Sequence, residues 1–386
     1  MYMIDVNDTG IFRFFSQMLF AKEQIEEVSM EKKKQKVSCM ELEIKEQPSV
    51  IETLVNKYIT GDNYILVNVP YKVNRVVFIA SGSSYHCSLL AGELLKNTSC
   101  CEGEAFYASE FDIKQFNNVQ DDTLFVFVSQ SGETGDTLKA MRDVLKISKN
   151  VLCITNNEGS TMWELANYKL LTCAGKENSI ASTKAMTAQL FCLYLMILKI
   201  MHSKKLSIVQ ELNDLKKLGK FISMLCEKTS YIRKVAAQLA KYKNIEILGS
   251  KEFYAVAKEG ALKIKETSYI NTTAYPQGEF MHGHVAILNN KSAIISLIDS
   301  ENSEQAISNI KKMKNDYSPC IVTISDIQDS EELEKYTNHN IKIDSQTIVF
   351  KLFASIVIMQ LLALEIAKKL KRNIDRPQGL KKVVMG

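Results

Sequence analysis

The chain has 386 residues, 46% hydrophobic and 24% charged, which excludes a disordered or fibrous protein and leaves room for two globular domains. A net charge of +4 is too small and too dispersed to build a nucleic-acid surface; Lys32, Lys33 and Lys34 follow Glu26, Glu27 and Glu31 and read as a solvated helix face. Nine cysteines without CxxC spacing, several in apolar runs (Cys153, Cys173, Cys192), behave as small hydrophobes. A reducing, cytoplasmic setting with no metal–thiolate centre is therefore expected.

At the N-terminus Asp5 and Asp8 stand where a secretory signal would be basic, and Arg13 breaks the apolar stretch. Residues 1–39 read either as an upstream extension, with Met40 a natural start, or as a helix packed on a neighbour. From residue 40 the sequence MELEIKEQPSVIETLVNKYI leads into the main body. Strand candidates then follow at RVVFIAS (75–81), TLFVFVS (123–129), NVLCITN (150–156) and YKLLTCA (168–174). Helical patterns intervene, as in Leu138, Met141 and Leu145. An apolar helix at 185–201 closes this unit, and a charged helical stretch spans 206–243.

The alternation restarts with NIEILGS (244–250), SAIISLI (292–298), PCIVTIS (319–325) and NIKI (340–343), closed by another apolar helix at 346–370. Apolar strands without polar alternation, separated by helices, predict parallel sheets covered on both faces. The halves look duplicated, since Gly82 and Gly249 each follow a strand and precede a second helical glycine, Gly92 and Gly260. The expected fold is α/β, two doubly wound domains in tandem. Its parts are an extension (1–39), a first domain with its leading helix (40–205), a helical connector (206–243), a second domain (244–370) and a tail (371–386). The apolar runs 185–198 and 352–364 fall short of the ~20 residues that span a bilayer, so no membrane partner is expected.

Ligands of parallel α/β sheets bind beyond the carboxyl ends of the strands. Three polar clusters of the first half fall there: Ser81 to Ser84, Ser129 to Thr134, and Asn178 to Lys184. Backbone amides at helix starts, with the hydroxyls of Ser129, Ser131 and Thr134, suit a phosphate monoester. No GxxxxGK[ST] is present, which disfavours a nucleotide P-loop. In the second half Glu259, Lys263 and Glu266 share one helix face; by spacing alone this reads as a surface ion-pair ladder. His282 and His284 lack a third ligand at suitable spacing, so metal is not expected, and one imidazole beside a sugar ring would act as a general acid/base.

Taken together, SGSS, SQSGETGDTL, ASTKA, EGALKIKETSYI, GEFMHG and DRPQGLKKVV, in that order, resemble the isomerase half of the glucosamine-6-phosphate synthase family, built of two sugar-isomerase (SIS) domains. The tail fits through Asp375, Pro377, Leu380, Lys382 and Val384. The resemblance implies that Ser129, Gln130, Ser131 and Thr134 hold a sugar phosphate, with Ser84, Ile180 and Ser182 nearby. It further implies that Glu266 shuttles a proton between C1 and C2, and that Lys263 orders the site. His282 would open the sugar ring from the partner subunit of a homodimer, Lys382 would form a Schiff base, and no cofactor would be needed.

Departures qualify the likeness. Residue 2 is Tyr and Met40 is followed by Glu41, where the family's glutaminase exposes a cysteine, so a glutaminase-less relative is expected. His284 replaces the proline usual after HG, and Lys381 precedes Lys382. The activity expected is isomerisation and deamination of glucosamine 6-phosphate to fructose 6-phosphate and ammonia. Alternatives are a fructosamine-6-phosphate deglycase, an aldose–ketose phosphate isomerase, or a non-catalytic sugar-phosphate-binding regulator.

Overall fold

Uninterrupted apolar strands need cover on both faces, and the computed structural model shows where it comes from. It describes residues 37–61, 64–98, 100–116, 119–227, 229–345 and 347–382. Residues 1–36 of the expected extension, and Val384 in the tail motif, lie outside the described residues.

Helix α1 (Cys39–Tyr58) opens the described chain. Pro48 inside it has no amide to give the carbonyl of Ile44, and the side-chain amide of Gln47 supplies that donor at 3.1 Å. A two-residue hairpin, Ile59–Thr60 with Tyr64–Ile65, follows. The first sheet comprises β1 (Arg75–Ala80), β2 (Glu102–Tyr107), β3 (Thr123–Ser129), β4 (Val151–Thr155) and β5 (Tyr168–Leu171). Its connecting helices are α2 (Gly82–Thr98), α3 (Gly135–Val144) and α4 (Thr161–Leu165), and α5 (Lys184–Ser203) closes the unit. The stretch expected as helical at 206–243 is two helices, α6 (Val209–Glu227) and α7 (Thr229–Leu239).

The second sheet repeats the plan with β6 (Asn244–Gly249), α8 (Glu252–Ser268), β7 (Asn271–Pro276), β8 (Ala293–Ile298), α9 (Ser303–Tyr317), β9 (Cys320–Ser325), α10 (Glu331–Tyr336), β10 (His339–Lys342) and α11 (Ile348–Lys369). Both sheets are parallel throughout, with orders β2-β1-β3-β4-β5 and β7-β6-β8-β9-β10. In each, the chain leaves its first strand to one side and returns to the other, so a crevice opens beyond β1 and β3, and beyond β6 and β8.

One continuous core joins the halves through α2, α5, α8 and α11. The apolar runs judged too short for a bilayer extend into helices of 20 and 22 residues, long and apolar enough to cross one by length and composition. Their apolar windows are, however, 83% buried within the protein, and that burial, rather than their length, accounts for their composition.

Candidate active site

The edge beyond β1 and β3 is built by two sharp turns. Gly82 (φ +57°) turns the chain from β1 into α2, and Gly132 (φ +69°) does so between β3 and α3. A Cβ at Gly132 would stand 2.2 Å from the Ser160 hydroxyl, so the turn admits glycine alone. Within this loop the Ser129 and Thr134 hydroxyls meet at 2.9 Å. The amide of Gly132 donates to Ser129 Oγ at 3.1 Å, and that of Glu133 to Ser131 Oγ at 3.1 Å. Glu133 in turn accepts from the amide of Thr161 at 2.7 Å. Thr134 is the N-cap of α3 but makes no capping bond with its side chain. The first turn of α3 is thus left without a side-chain cap where Ser129, Ser131 and Thr134 line the cleft, an arrangement complementary to an anion.

The equivalent edge of the second sheet has opposite chemistry. Asp299 after β8 and Asp326 after β9 enclose the buried ammonium of Lys351 at 2.6 and 3.4 Å. Two carboxylates sharing one lysine keep a net negative charge there, which opposes a phosphate.

A cleft of about 470 Å³ lies over the first-sheet edge. Ser84, Ser129, Gln130, Ser131, Thr134, Ile180, Ser182, Lys263, Glu266 and Lys382 all line it. Ser84 donates to Gln189 at 3.0 Å, and Ser182 to Glu177 at 3.1 Å. His282 is absent from the lining; it is exposed between the short helical turns Glu279–Met281 and His284–Ile287 that follow β7. His284 packs against Tyr275, with ring centroids 4.4 Å apart and ring planes tilted by 40°. Among the described residues no group of three or more His, Cys, Asp or Glu side chains could hold a metal ion.

The shared face of α8 is not the surface ladder its spacing suggests. Glu259 and Lys263 are each about 1% exposed, because α2 of the first half covers them. Lys263 donates to Glu266 at 2.6 Å and lies 3.6 Å from Glu259, whose other oxygen contacts His86 Nδ1 at 2.7 Å. Burial disfavours the charge on Lys263, yet Glu266 and Glu259 outweigh it and raise the ammonium pKa above its usual range. Burial likewise opposes ionisation of Glu259, but Lys263 and His86 hold that carboxyl below its usual range.

The tail closes the cleft from the other side. The Asp375 carboxylate accepts from the amides of Cys39 and Met40 at 2.8 and 3.0 Å, capping α1, and its carbonyl accepts from the amide of Ile180 at 3.2 Å. Lys382 donates to Glu177 and, at 2.6 Å, to the carbonyl of Ser179. Lys381 also lines the cleft but is exposed.

Sequence reasoning passed over Glu177 and His86. Glu177 is buried and also takes the amides of Thr183 and Ala185 at 2.9 and 3.1 Å. An acid between a strand and the helix-opening ASTK was the available signal for Glu177. For His86, inside an apolar helix, there was none.

The SIS domain family model matches residues 71–199 and 238–367. A glutamine–fructose-6-phosphate aminotransferase (isomerizing) of Clostridium tetani is 32% identical over 355 residues, covering 89% of this chain and 58% of the relative. The chain thus spans under three fifths of the length of that relative. Among solved structures, the C-terminal domain of glucosamine-fructose-6-phosphate aminotransferase from Francisella tularensis superposes with a TM-score of 0.79 at 25% identity, covering 89% of this chain and 99% of that one. A glucosamine-6-phosphate deaminase from Thermotoga maritima shares the fold, with a TM-score of 0.67 at 19% identity over 90% of this chain and 99% of its own.

Proposed function

The chain belongs to the SIS domain family, and from that premise we propose that it is an enzyme that isomerises and deaminates glucosamine 6-phosphate to fructose 6-phosphate and ammonia. The observation that carries the reading is one cleft lined by an anion-complementary loop at Ser129, Ser131 and Thr134, a carboxylate at Glu266 and an amine at Lys382. Phosphate on the loop would orient the sugar carbons towards α8.

In this reading Glu266 removes the C2 proton of the open-chain amino sugar and returns it at C1. The resulting imine at C2 takes up water, and its nitrogen leaves as ammonia. Lys263 holds the carboxylate in place through their ion pair. In the reverse direction Lys382, its proton lost beside the Glu177 carboxylate, forms an imine with the ketose carbonyl as water leaves, and ammonia then displaces the lysine at that carbon. His282 opens the ring from a second copy of the chain in a homodimer, a role consistent with its exposure outside its own cleft. Residues 40–205 then form the phosphate-binding domain and 244–370 the domain of proton transfer. Residues 206–243 connect them, and 371–386 close the cleft.

The test is to supply the purified chain with glucosamine 6-phosphate and follow both fructose 6-phosphate and ammonia. Stoichiometric release of the two is expected. Turnover of a fructosamine 6-phosphate with none of glucosamine 6-phosphate would replace the reading by a deglycase, and product made from fructose 6-phosphate only with glutamine would overturn it.

A further inference from the structure

We propose that Glu259, held by His86, is a second seat for the Lys263 ammonium, and that this pair of positioning residues sets how tightly Lys263 grips Glu266. The inference rests on the reading of Glu266 as the proton-moving base. Its physical core is one atom: Glu259 Oε1 is buried with no hydrogen-bond partner and lies 3.6 Å from Lys263 Nζ. A buried carboxylate oxygen left without a donor is costly, so it offers the ammonium an alternative position. Glu266 holds Lys263 at 2.6 Å. When Glu266 takes a proton from the sugar its charge is lost, and Lys263 then moves to the carboxylate that remains charged.

The groups acting on this relay come from each element around it. From α2 come His86, Ser83 and Cys87. Burial and Glu259 push the Cys87 thiol pKa up, so it stays neutral. Glu177, paired with Lys382, adds a further negative charge facing Lys263. Helix α11 meets α8 through Met359, against Gly260, and through the Ala363 carbonyl. His86 is thus the titratable partner from the first half that fixes Glu259, with both side chains buried and Ser83 beside it on the same helix.

Removing the two positioning residues shifts Glu266 in opposite directions. Glu259→Gln leaves Lys263 wholly on Glu266, which becomes less basic, so the acid limb of kcat/KM moves to lower pH and kcat falls. His86→Phe leaves Glu259 with Lys263 as its main charged support, beside the Ser83 hydroxyl. The ammonium is drawn away from Glu266, and the acid limb moves to higher pH. Displacements of about one pH unit are expected for a charge at this range, with KM changed less than kcat. His86→Asn, which restores an amide donor, should return the limb part of the way.

The experiment measures pH profiles of glucosamine 6-phosphate turnover for the wild type and these variants, with thermal melts to confirm folding. A second arm avoids buried substitutions: in the full chain labelled with 15N-histidine, Glu266→Gln should shift the His86 imidazole resonance, assigned through His86→Asn. Opposite limb shifts, or the imidazole response alone where a variant does not fold or glucosamine 6-phosphate is not turned over, support the relay. Coincident or same-direction limbs, or an unmoved His86 resonance, overturn it. A fully active Glu266→Gln would instead remove the reading of Glu266 on which the relay depends.

Discussion

Lys382 and Glu177, 205 residues apart in sequence, form an ion pair at the cleft wall, and the same carboxylate takes the amides that begin α5. The tail amine is therefore anchored to the element that carries Ser182. If Lys382 forms the imine, borohydride with fructose 6-phosphate should add one sugar to the wild-type chain. Lys382→Ala should show no adduct by intact-mass measurement, while Lys381→Ala should keep it. An adduct persisting in Lys382→Ala would move the amine to Lys381.

The turn after β3 supports a second expectation. Each of Ser131 and Thr134 would donate a hydrogen bond to a charged phosphate, worth roughly 1.5–3 kcal/mol, or about tenfold or more in affinity. Ser131→Ala and Thr134→Ala should each weaken fructose 6-phosphate binding by that factor in calorimetry, with little change for unphosphorylated fructose. Unchanged affinity in both would place the phosphate elsewhere.

Much of this architecture is legible in the sequence, and the exceptions share physical causes. The central strands β1, β3, β6 and β8 are buried on both faces, so their apolar runs are unbroken and their positions readable. The edge strands EGEAFY and NTTAYP, our β2 and β7, pair on one side only and each has a single buried residue, with half-buried residues beside it and exposed ends; nothing in their composition distinguishes them from loops. The Glu259–Lys263–Glu266 face is visible from spacing, but its burial is not, because its cover comes from α2, with His86 lying 173 residues upstream of Glu259. His282 stands out in the sequence, and the structure has it exposed outside its own cleft.

Asp375 supplies a test that separates stability from chemistry. As the cap of α1 it satisfies two amides that the helix cannot. Asp375→Ala should cost about 0.5–2 kcal/mol in urea unfolding. Because those carboxylate contacts also tie the start of the tail to α1, the substitution should also weaken the borohydride adduct. Lost stability with an unchanged adduct yield would show that the tail is held by its Lys382 contacts alone.

Glu246 on β6 is buried, with Oε2 lacking a partner, and burial lifts its carboxyl to about 7 against the opposing charge of Lys265. A carboxyl whose folded-state pKa is raised binds its proton more tightly when folded, so the native state loses stability as pH rises from about 4.5 through about 7. Glu246→Gln removes that penalty. The variant should be more stable than the wild type at pH 8, by on the order of 1–3 kcal/mol, and should match it near pH 4. A urea midpoint difference that does not change with pH would show that Glu246 carries no such linkage.

Glu266 and His282 invite the most demanding test of the proposed chemistry, because one lines the cleft and the other does not. Glu266→Gln preserves shape and a hydrogen-bond partner for Lys263 but removes the base, which costs about 10²–10⁴-fold in rate. His282→Ala removes only ring opening, so an open-chain substrate analogue should recover much of its activity and none of that of Glu266→Gln. If His282 acts across a homodimer, the two inactive variants complement each other: in a mixed dimer, one cleft holds an intact Glu266 beside an intact His282 from the partner. Random mixing of equal amounts makes about half of the dimers mixed, each with one working cleft, so roughly a quarter of wild-type activity should return. Activity that stays at the level of the separate variants, while exchange of subunits is verified by mass, would place His282 outside the reaction or within its own chain's cleft after a loop movement. A fully active monomer in sedimentation would exclude the shared arrangement outright.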